Sequence, residues 1–251
     1  SDVCSSDLSE TISRYGTGRK IKQGVKVAIF GKPNTGKSSL LNALLDYDKA
    51  IVSSTAGTTR DAVEGEIDVK GVKFLFTDTA GVRSSDDEIE SVGIKRAESA
   101  ARRADIVVAV IDGSLPLTEE DYAALEFTKD LSRVVVANKC DKGTVKNLNA
   151  DLVVSAKTGE GIDELKNLIF EKSFSAGIDL NADFLTEERH LAALKKAQAA
   201  LSSATDGFSV NTADLATIDI KDAWDALGEI SGETASESVI EEIFSKFCVG
   251  K

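Results

Sequence analysis

From Val25 onward, apolar positions alternate between two periods along the chain. Runs that are continuously apolar or alternate in twos predict strands at Val25–Phe30, Ala62–Val69, Val72–Phe76, Asp105–Asp112, Val134–Ala137 and Asp151–Val154. Between them, Ser39–Leu45, Ile89–Arg103, Thr118–Asp130 and Asp163–Ser173 carry helical spacing, with Thr118 and Asp121 in an N-cap pattern. Only Lys70-Gly71 separates Val69 from Val72, which predicts an antiparallel hairpin. The other strands alternate with helices. Residues 23–174 therefore predict an α/β domain, a mostly parallel sheet with helices on both faces.

Beyond about Ser175 no apolar strand-like run remains, and Leu185–Ser203, Leu215–Ile230 and Ala235–Phe247 all have helical spacing. Residues 175–251 thus predict an all-α unit. In it Trp224, Leu227 and Ile230 fall at i, i+3 and i+6, which reads as a helix-packing stripe. Residues 1–22 read differently: Ser1–Leu8 shows no period, and Glu10–Lys22 reads as the tail of some element followed by a basic linker, a remnant of a preceding helical region. The chain contains no methionine, so it is expected to be part of a longer protein whose first eight residues here are frayed or foreign.

Composition narrows the class. With 251 residues and 42% hydrophobic content the chain can bury a core. No run approaches the roughly 18 apolar residues of a membrane span, and no charged-then-apolar leader opens the chain, so a soluble cytoplasmic protein is expected. Cys4, Cys140 and Cys248 stand far apart beside a single histidine, His190, which supports neither a disulfide framework nor a zinc site; His190 reads as a helix-surface residue. A net charge of −12 opposes tight binding of a phosphate backbone by this chain alone.

The candidate chemistry stands where predicted strands end. Gly31-Lys32-Pro33-Asn34-Thr35-Gly36-Lys37-Ser38, followed by Ser39, fits G-x-x-x-x-G-K-[ST] between a strand and a helix. There backbone N–H groups and Lys37 can hold phosphates, and the Ser38 hydroxyl can ligate Mg²⁺. Ser53-Ser54-Thr55-Ala56-Gly57-Thr58-Thr59 has no period and reads as a loop where a nucleotide switch would lie. The hairpin delivers Asp78-Thr79-Ala80-Gly81; later strands end in Asn138-Lys139-Cys140-Asp141 and Ser155-Ala156-Lys157. The Asp141 carboxylate can accept from both the ring N–H and the exocyclic amine of guanine, and the Ala156 N–H can meet the guanine carbonyl. Four motifs in this order resemble a Ras-like P-loop GTPase over Gln23–Ser173. That class implies GTP and GDP as ligands, Ser38 and a switch threonine (Thr59, or Thr58) as Mg²⁺ ligands, Asp78 acting on the ion through water, and a γ-phosphate bond from the Gly81 N–H. Val82 occupies the place where a water-orienting glutamine often stands, and the carboxylates that follow are Asp86, Asp87, Glu88 and Glu90.

A closer resemblance is carried by Gly31–Ser39, by Gly57-Thr58-Thr59-Arg60-Asp61, by Asp78-Thr79-Ala80-Gly81-Val82-Arg83 and by the terminal Phe247-Cys248-Val249-Gly250-Lys251. Together they resemble the MnmE (TrmE) family of tRNA-modification GTPases. The resemblance implies a G domain inserted into a helical domain, behind an N-terminal folate-binding, dimerising domain that this chain lacks. It implies K⁺-dependent GTP hydrolysis, with Asn34, Ser53, Thr55 and Thr58 as K⁺ ligands and Glu90 placing the attacking water. It further implies G domains that pair face to face, and an FAD-dependent partner, MnmG, with which a carboxymethylaminomethyl-type group is installed at C5 of wobble uridine from a folate one-carbon unit. tRNA would be met mainly through that complex. Lys251 and Cys248 match the terminal motif near the folate site, Cys248 being either a nucleophile or a small packed residue. The alternatives are a ribosome-assembly GTPase, which shares G-x-P-N-x-G-K-S and D-T-A-G, and a GTP-controlled scaffold without modification chemistry of its own.

Overall fold

The computed structural model describes residues 2–46, 63–77, 87–145, 148–174, 178, 184–209 and 213–231. They belong to two compact units, Gln23–Leu180 and the pair of segments Ser1–Lys22 and Asn181–Lys251. The chain opens with two helices, α1 (Asp2–Ser13) and α2 (Tyr15–Gln23), and not with the unpatterned start and linker expected from the sequence. The signal was sparse: Cys4, Leu8 and Ile12 stand four apart and make one helical stripe, hidden among serines and aspartates. Leu8 and Ile12 are half-buried. Gly18, in α2, lies so close to Leu185 that an added Cβ would sit 2.3 Å from the Leu185 carbonyl oxygen.

The larger unit is built on strands β1 (Val25–Phe30), β2 (Val63–Val69), β3 (Val72–Thr77), β4 (Ile106–Asp112), β5 (Arg133–Asn138) and β6 (Leu152–Val153). Among the described residues they form one sheet in the order β2-β3-β1-β4-β5-β6, parallel except for β2 against β3. β4 is buried along its whole length, as a central parallel strand covered on both faces should be. The hairpin turn uses Lys70 at φ 56° and Gly71 at φ 82°, the two left-handed positions of a type I′ turn, braced by the Gly71 N–H on Asp68 Oδ1 at 2.8 Å.

Among the described residues four helices accompany the sheet: α3 (Lys37–Asp46), α4 (Asp87–Arg103), α5 (Glu119–Phe127) and α6 (Ile162–Ser173). The pleat divides their contacts. Ala28, Phe30 and Val107 point to one face, against Ala97 and Ala101 of α4 and Ala124 and Phe127 of α5. Phe74, paired in register with Val25, points to the other, where its ring centroid lies 6.4 Å from that of Phe170 in α6. The predicted helix over Thr118–Asp130 is shorter than expected, because Thr128 caps it: its N–H and hydroxyl both turn back to the carbonyl of Ala124.

In the smaller unit, α7 (Glu188–Ser209) and α8 (Ala213–Ser231) pack through alanine. Ala197 faces Ala223 and Ala226, with Ala200 and Leu201 beside them. This corrects the stripe expected at Trp224, Leu227 and Ile230: Trp224 is 44% and Leu227 36% exposed. Small side chains let the two helices approach, so the bulky ones are displaced to the flank. His190 is also less superficial than expected, half-buried with its Nε2 buried. Gln198 of α7 donates to Ser9 Oγ at 2.7 Å, and Lys22 pairs with Glu187, which ties the opening helices to this unit. The expected helix at Ala235–Phe247 lies outside the described residues.

Two neighbouring glycines in α2 predict opposite signs. Gly18→Ala should overpack against Leu185 and destabilise the helical unit by about 1–3 kcal/mol. Gly16→Ala, with open space around it, should stabilise the same helix by up to about 1 kcal/mol. Urea titrations followed by circular dichroism check both; effects of the same sign would deny the packing of α2 on Leu185.

Candidate nucleotide-binding site

The phosphate-loop sequence runs from the end of β1 into α3, and its conformation is fixed from within. Thr35 is fully buried and its hydroxyl donates to the Lys32 carbonyl at 3.1 Å. The Lys37 ammonium donates to the carbonyls of Gly31 at 2.9 Å and Lys32 at 2.8 Å. Gly36 has φ 91°, and a Cβ there would meet Asn138 Nδ2 at 2.4 Å, so only glycine lets the loop close on the end of β5. Asn34 stands exposed at φ 62°, a left-handed conformation that asparagine tolerates better than most residues. Ser38 and Ser39 are exposed in the first turn of α3.

The other half of the cleft comes from the ends of β5 and β6. Asn138 is 1% exposed and bridges two loops: its Nδ2 donates to the Thr35 carbonyl at 3.0 Å, and its Oδ1 accepts from the Ala156 N–H at 3.0 Å. That amide, expected from the sequence to meet a guanine carbonyl, is thus engaged by Asn138 here. Asp141 sits in a single 3₁₀ turn, Cys140–Lys142, with Oδ1 accepting from the buried Ser155 hydroxyl at 2.8 Å. Ser155 Oγ in turn accepts from the Thr158 N–H at 3.2 Å, which fixes the direction of its proton. Lys157 is exposed. Cys140 is half-buried between Lys139 and Asp141, where burial and the Glu160 carboxylate at 3.5 Å push its thiol up.

Two ion pairs flank the loop. Lys139, at φ 71°, donates to the Asn34 carbonyl at 2.5 Å and to Asp112 Oδ2 at 2.6 Å. Lys32 donates to Asp121 Oδ2 at 2.6 Å and to Thr118 Oγ1 at 2.9 Å. Asp121 is 2% exposed; its Oδ2 also accepts from the Thr118 N–H, while its Oδ1 has no partner among the described residues. For both carboxylates burial acts to raise the pKa but is outweighed: the Lys139 and Ser114 hydrogen bonds hold Asp112, and those of Lys32 and Thr118 hold Asp121, below the ordinary carboxylate range.

Of the residues singled out from the sequence, the structure therefore gathers Asn34, Thr35, Gly36, Lys37, Ser38, Ser39, Asn138, Lys139, Asp141, Ser155 and Ala156 at the C-terminal ends of β1, β5 and β6, with Lys157 beside them. Ser53, Ser54, Thr55, Ala56, Gly57, Thr58, Thr59, Asp78, Thr79, Ala80, Gly81, Cys248 and Lys251 lie outside the described residues. So does the side chain of Glu90, whose backbone is in the first turn of α4. The pairing of Lys32 with Asp121 and of Lys139 with Asp112 was not foreseen. From the sequence Asp121 reads only as a capping residue, a role it also performs, and Asp112 only as the polar end of an apolar run.

The model of the MnmE helical domain family matches residues 2–248. The chain is 40% identical, over 98% of its length, to the tRNA modification GTPase MnmE of Natranaerobius thermophilus, of which it covers 56%. It is 43% identical, over 93% of its length, to the protein of that name from Lactobacillus helveticus, of which it covers 53%. The chain thus spans about half the length of these curated relatives. Among solved structures, Era in complex with MgGDPNP and nucleotides 1506–1542 of 16S ribosomal RNA is similar at 31% identity and a TM-score of 0.47, over 70% of this chain and 66% of that one.

The buried Lys32–Asp121 pair makes a signed prediction. A carboxylate whose folded pKa is depressed adds stability that is present above its unfolded pKa and is lost as pH falls through the folded value. Asp121→Asn leaves the Lys32 ammonium without its anion and should cost about 3–5 kcal/mol at neutral pH. The gap to the parent should narrow as the pH falls below the ordinary carboxylate range, in urea titrations run at several pH values. A gap independent of pH would assign Asp121 a purely steric role.

Proposed function

This chain belongs to the MnmE family, and from that membership together with the loops that Asn138 joins we propose that it binds and hydrolyses GTP as the nucleotide-handling part of a tRNA-modifying enzyme. The observation that carries this reading is the Asn138 amide, bonded at once to the phosphate loop and to the loop that follows β6. It joins the two loops read as phosphate-binding and base-binding at the C-terminal end of the sheet, where doubly wound folds take their ligands.

In this reading the two Asp141 oxygens accept from the ring N–H and exocyclic amine of guanine while Ser155 holds the carboxylate in position. The phosphates lie at the N-terminus of α3, where amide N–H groups and Lys37 favour negative charge. Hard oxygen donors suit the cations: the exposed Ser38 hydroxyl, with Thr59 and with Asp78 through water, would hold Mg²⁺, and the exposed Asn34 amide, with Ser53, Thr55 and Thr58, would hold K⁺. Such cations supply neutralisation of the charge that develops between β- and γ-phosphates. Val82 has no polar atom with which to orient water, so Glu90 takes that role, acting when two G domains pair.

The same proposal assigns residues 23–174 to the G domain and the remainder to a helical domain, with dimerisation through the G domains and an N-terminal folate-binding domain. The modification itself, a carboxymethylaminomethyl-type group at C5 of wobble uridine, would be made with the FAD-dependent partner MnmG and a folate one-carbon unit, near which Lys251 and Cys248 would lie. An acidic chain of net charge −12 would meet tRNA mainly through that complex. The proposed setting is cytoplasmic; among the described residues no helix is long and apolar enough to cross a membrane.

GTP turnover with K⁺ replaced by Na⁺ at equal ionic strength tests the reading: turnover should collapse in Na⁺, and equal rates would sink the K⁺ assignment. Asn34→Ala should abolish the K⁺ stimulation while leaving Mg²⁺-nucleotide affinity nearly intact; equal losses with and without K⁺ would make Asn34 a structural part of the loop.

Glu90→Ala should lower turnover about 10²-fold or more under saturating K⁺ with GTP affinity retained. Asp86→Ala and Asp87→Ala should cost far less. A Glu90→Ala rate equal to the parent's would move attention to Arg83.

A further inference from the structure

The polar end of β4 carries a residue to which neither the motifs nor the proposed chemistry assigns a task. Asp112 is 8% exposed and divides its two oxygens between two jobs. Oδ1 accepts from the Ser114 N–H at 3.0 Å and the Ser114 hydroxyl at 2.6 Å, which anchors the carboxylate at the strand end. Oδ2 accepts from the Lys139 ammonium at 2.6 Å. The same ammonium donates to the Asn34 carbonyl at 2.5 Å, and a Cβ on Gly36 would lie 3.7 Å from Lys139 Cε, so the lysine stem runs past the phosphate loop to reach both partners.

We infer that Asp112 is a positioning residue for guanine-nucleotide binding, holding the Lys139 side chain across the phosphate loop so that base pocket and phosphate loop are fixed as one body. The inference rests on the reading of this cleft as a guanine-nucleotide site. A lysine side chain is costly to immobilise, and a single neutral carbonyl is a weak anchor for it. An anion anchored by two hydrogen bonds of its own supplies the charge-assisted contact that makes one rotamer dominant. The surrounding backbone supports the same arrangement: the Gly113 N–H donates to the Asn138 carbonyl at 2.7 Å, so the end of β4 and the Asn138–Lys139 turn move together. Lys139 at φ 71° turns its backbone out of the strand at the point where its side chain heads for Asp112.

Asp112→Asn keeps the size of the side chain but takes the anion from Lys139. Release of fluorescently labelled GDP from the full chain, followed by stopped flow, should then become about 10- to 100-fold faster, the range for a lost hydrogen bond to a charged group. Labelled IDP should be released faster by the same factor, because Lys139 is not assigned the exocyclic amine that distinguishes the two bases. Ser114→Ala, which keeps the charge and removes one anchor, should accelerate release in the same direction by a smaller factor. In a chain already carrying Lys139→Met, neither substitution should add anything. Acceleration that persists in that background would overturn the inference, as would an effect on GDP alone. If Lys139→Met leaves GDP release unchanged, the guanine-site reading falls first and the inference with it; a normal Lys139→Met effect with a silent Asp112→Asn removes only the inference.

Discussion

The described half of the site depends on one buried carboxamide. Asn138 reaches Thr35, distant in sequence, with its nitrogen and Ala156 with its oxygen, and both ends are satisfied inside a region almost closed to solvent. A buried donor or acceptor left unpaired costs about 1–3 kcal/mol, so each loop is held in the geometry that serves the other. Aspartate at this position would offer no donor to Thr35, and glutamine would carry an extra methylene into a space where Gly36 already admits no Cβ. The glycine of the phosphate loop and the asparagine of β5 are therefore one constraint read from two places in the chain.

Charge is arranged around that bridge in a way the total conceals. The chain is strongly acidic, yet lysines 32, 37 and 139 all converge on one loop. Lys32 and Lys139 are matched by buried carboxylates on separate elements, Asp121 in α5 and Asp112 at the end of β4. Each pair clamps the loop to a different part of the scaffold, and neither has a bridging role that exposed charges could perform, since surface pairs contribute little. A net charge of −12 disfavours a long nucleic-acid backbone, which needs many cations in a row.

The β-strands of this fold were legible because parallel strands buried on both faces leave continuous apolar runs, as at Val107–Ile111 and Val134–Ala137. The candidate site was legible because its residue types are dictated by chemistry at fixed spacing, as in the phosphate loop and in Asn138 to Asp141. What escaped was set by tertiary context. α1 has a stripe of only three apolar residues in a polar window, too thin to register against its serines. Trp224 and Leu227 obey helical spacing, but the seam between α7 and α8 is made by Ala197, Ala223 and Ala226, and period alone does not say which of two adjoining stripes faces a neighbour. The pairs Lys32–Asp121 and Asp112–Lys139 join residues far apart with no periodicity to announce them.

In the proposed function, binding and chemistry fall to residues of different kinds. The bonds that shape the proposed purine side join the Asn138 side chain to the backbone of Thr35 and Ala156, and Ser155 to Asp141, at and just beyond the ends of β5 and β6. Of the groups proposed for water placement and cation binding, Asn34 lies in the phosphate loop, Ser38 in the first turn of α3 and Glu90 in that of α4, while Ser53, Thr55, Thr58, Thr59 and Asp78 lie outside the described residues. In the role proposed for it, Glu90 would act as a hydrogen-bond acceptor for the attacking water. An ionised carboxylate can accept a hydrogen bond from water and orient it but has no proton to give. That is the half of acid–base chemistry an attacking water requires, and it would leave the charge on the leaving phosphate to Lys37 and the cations proposed beside the loop.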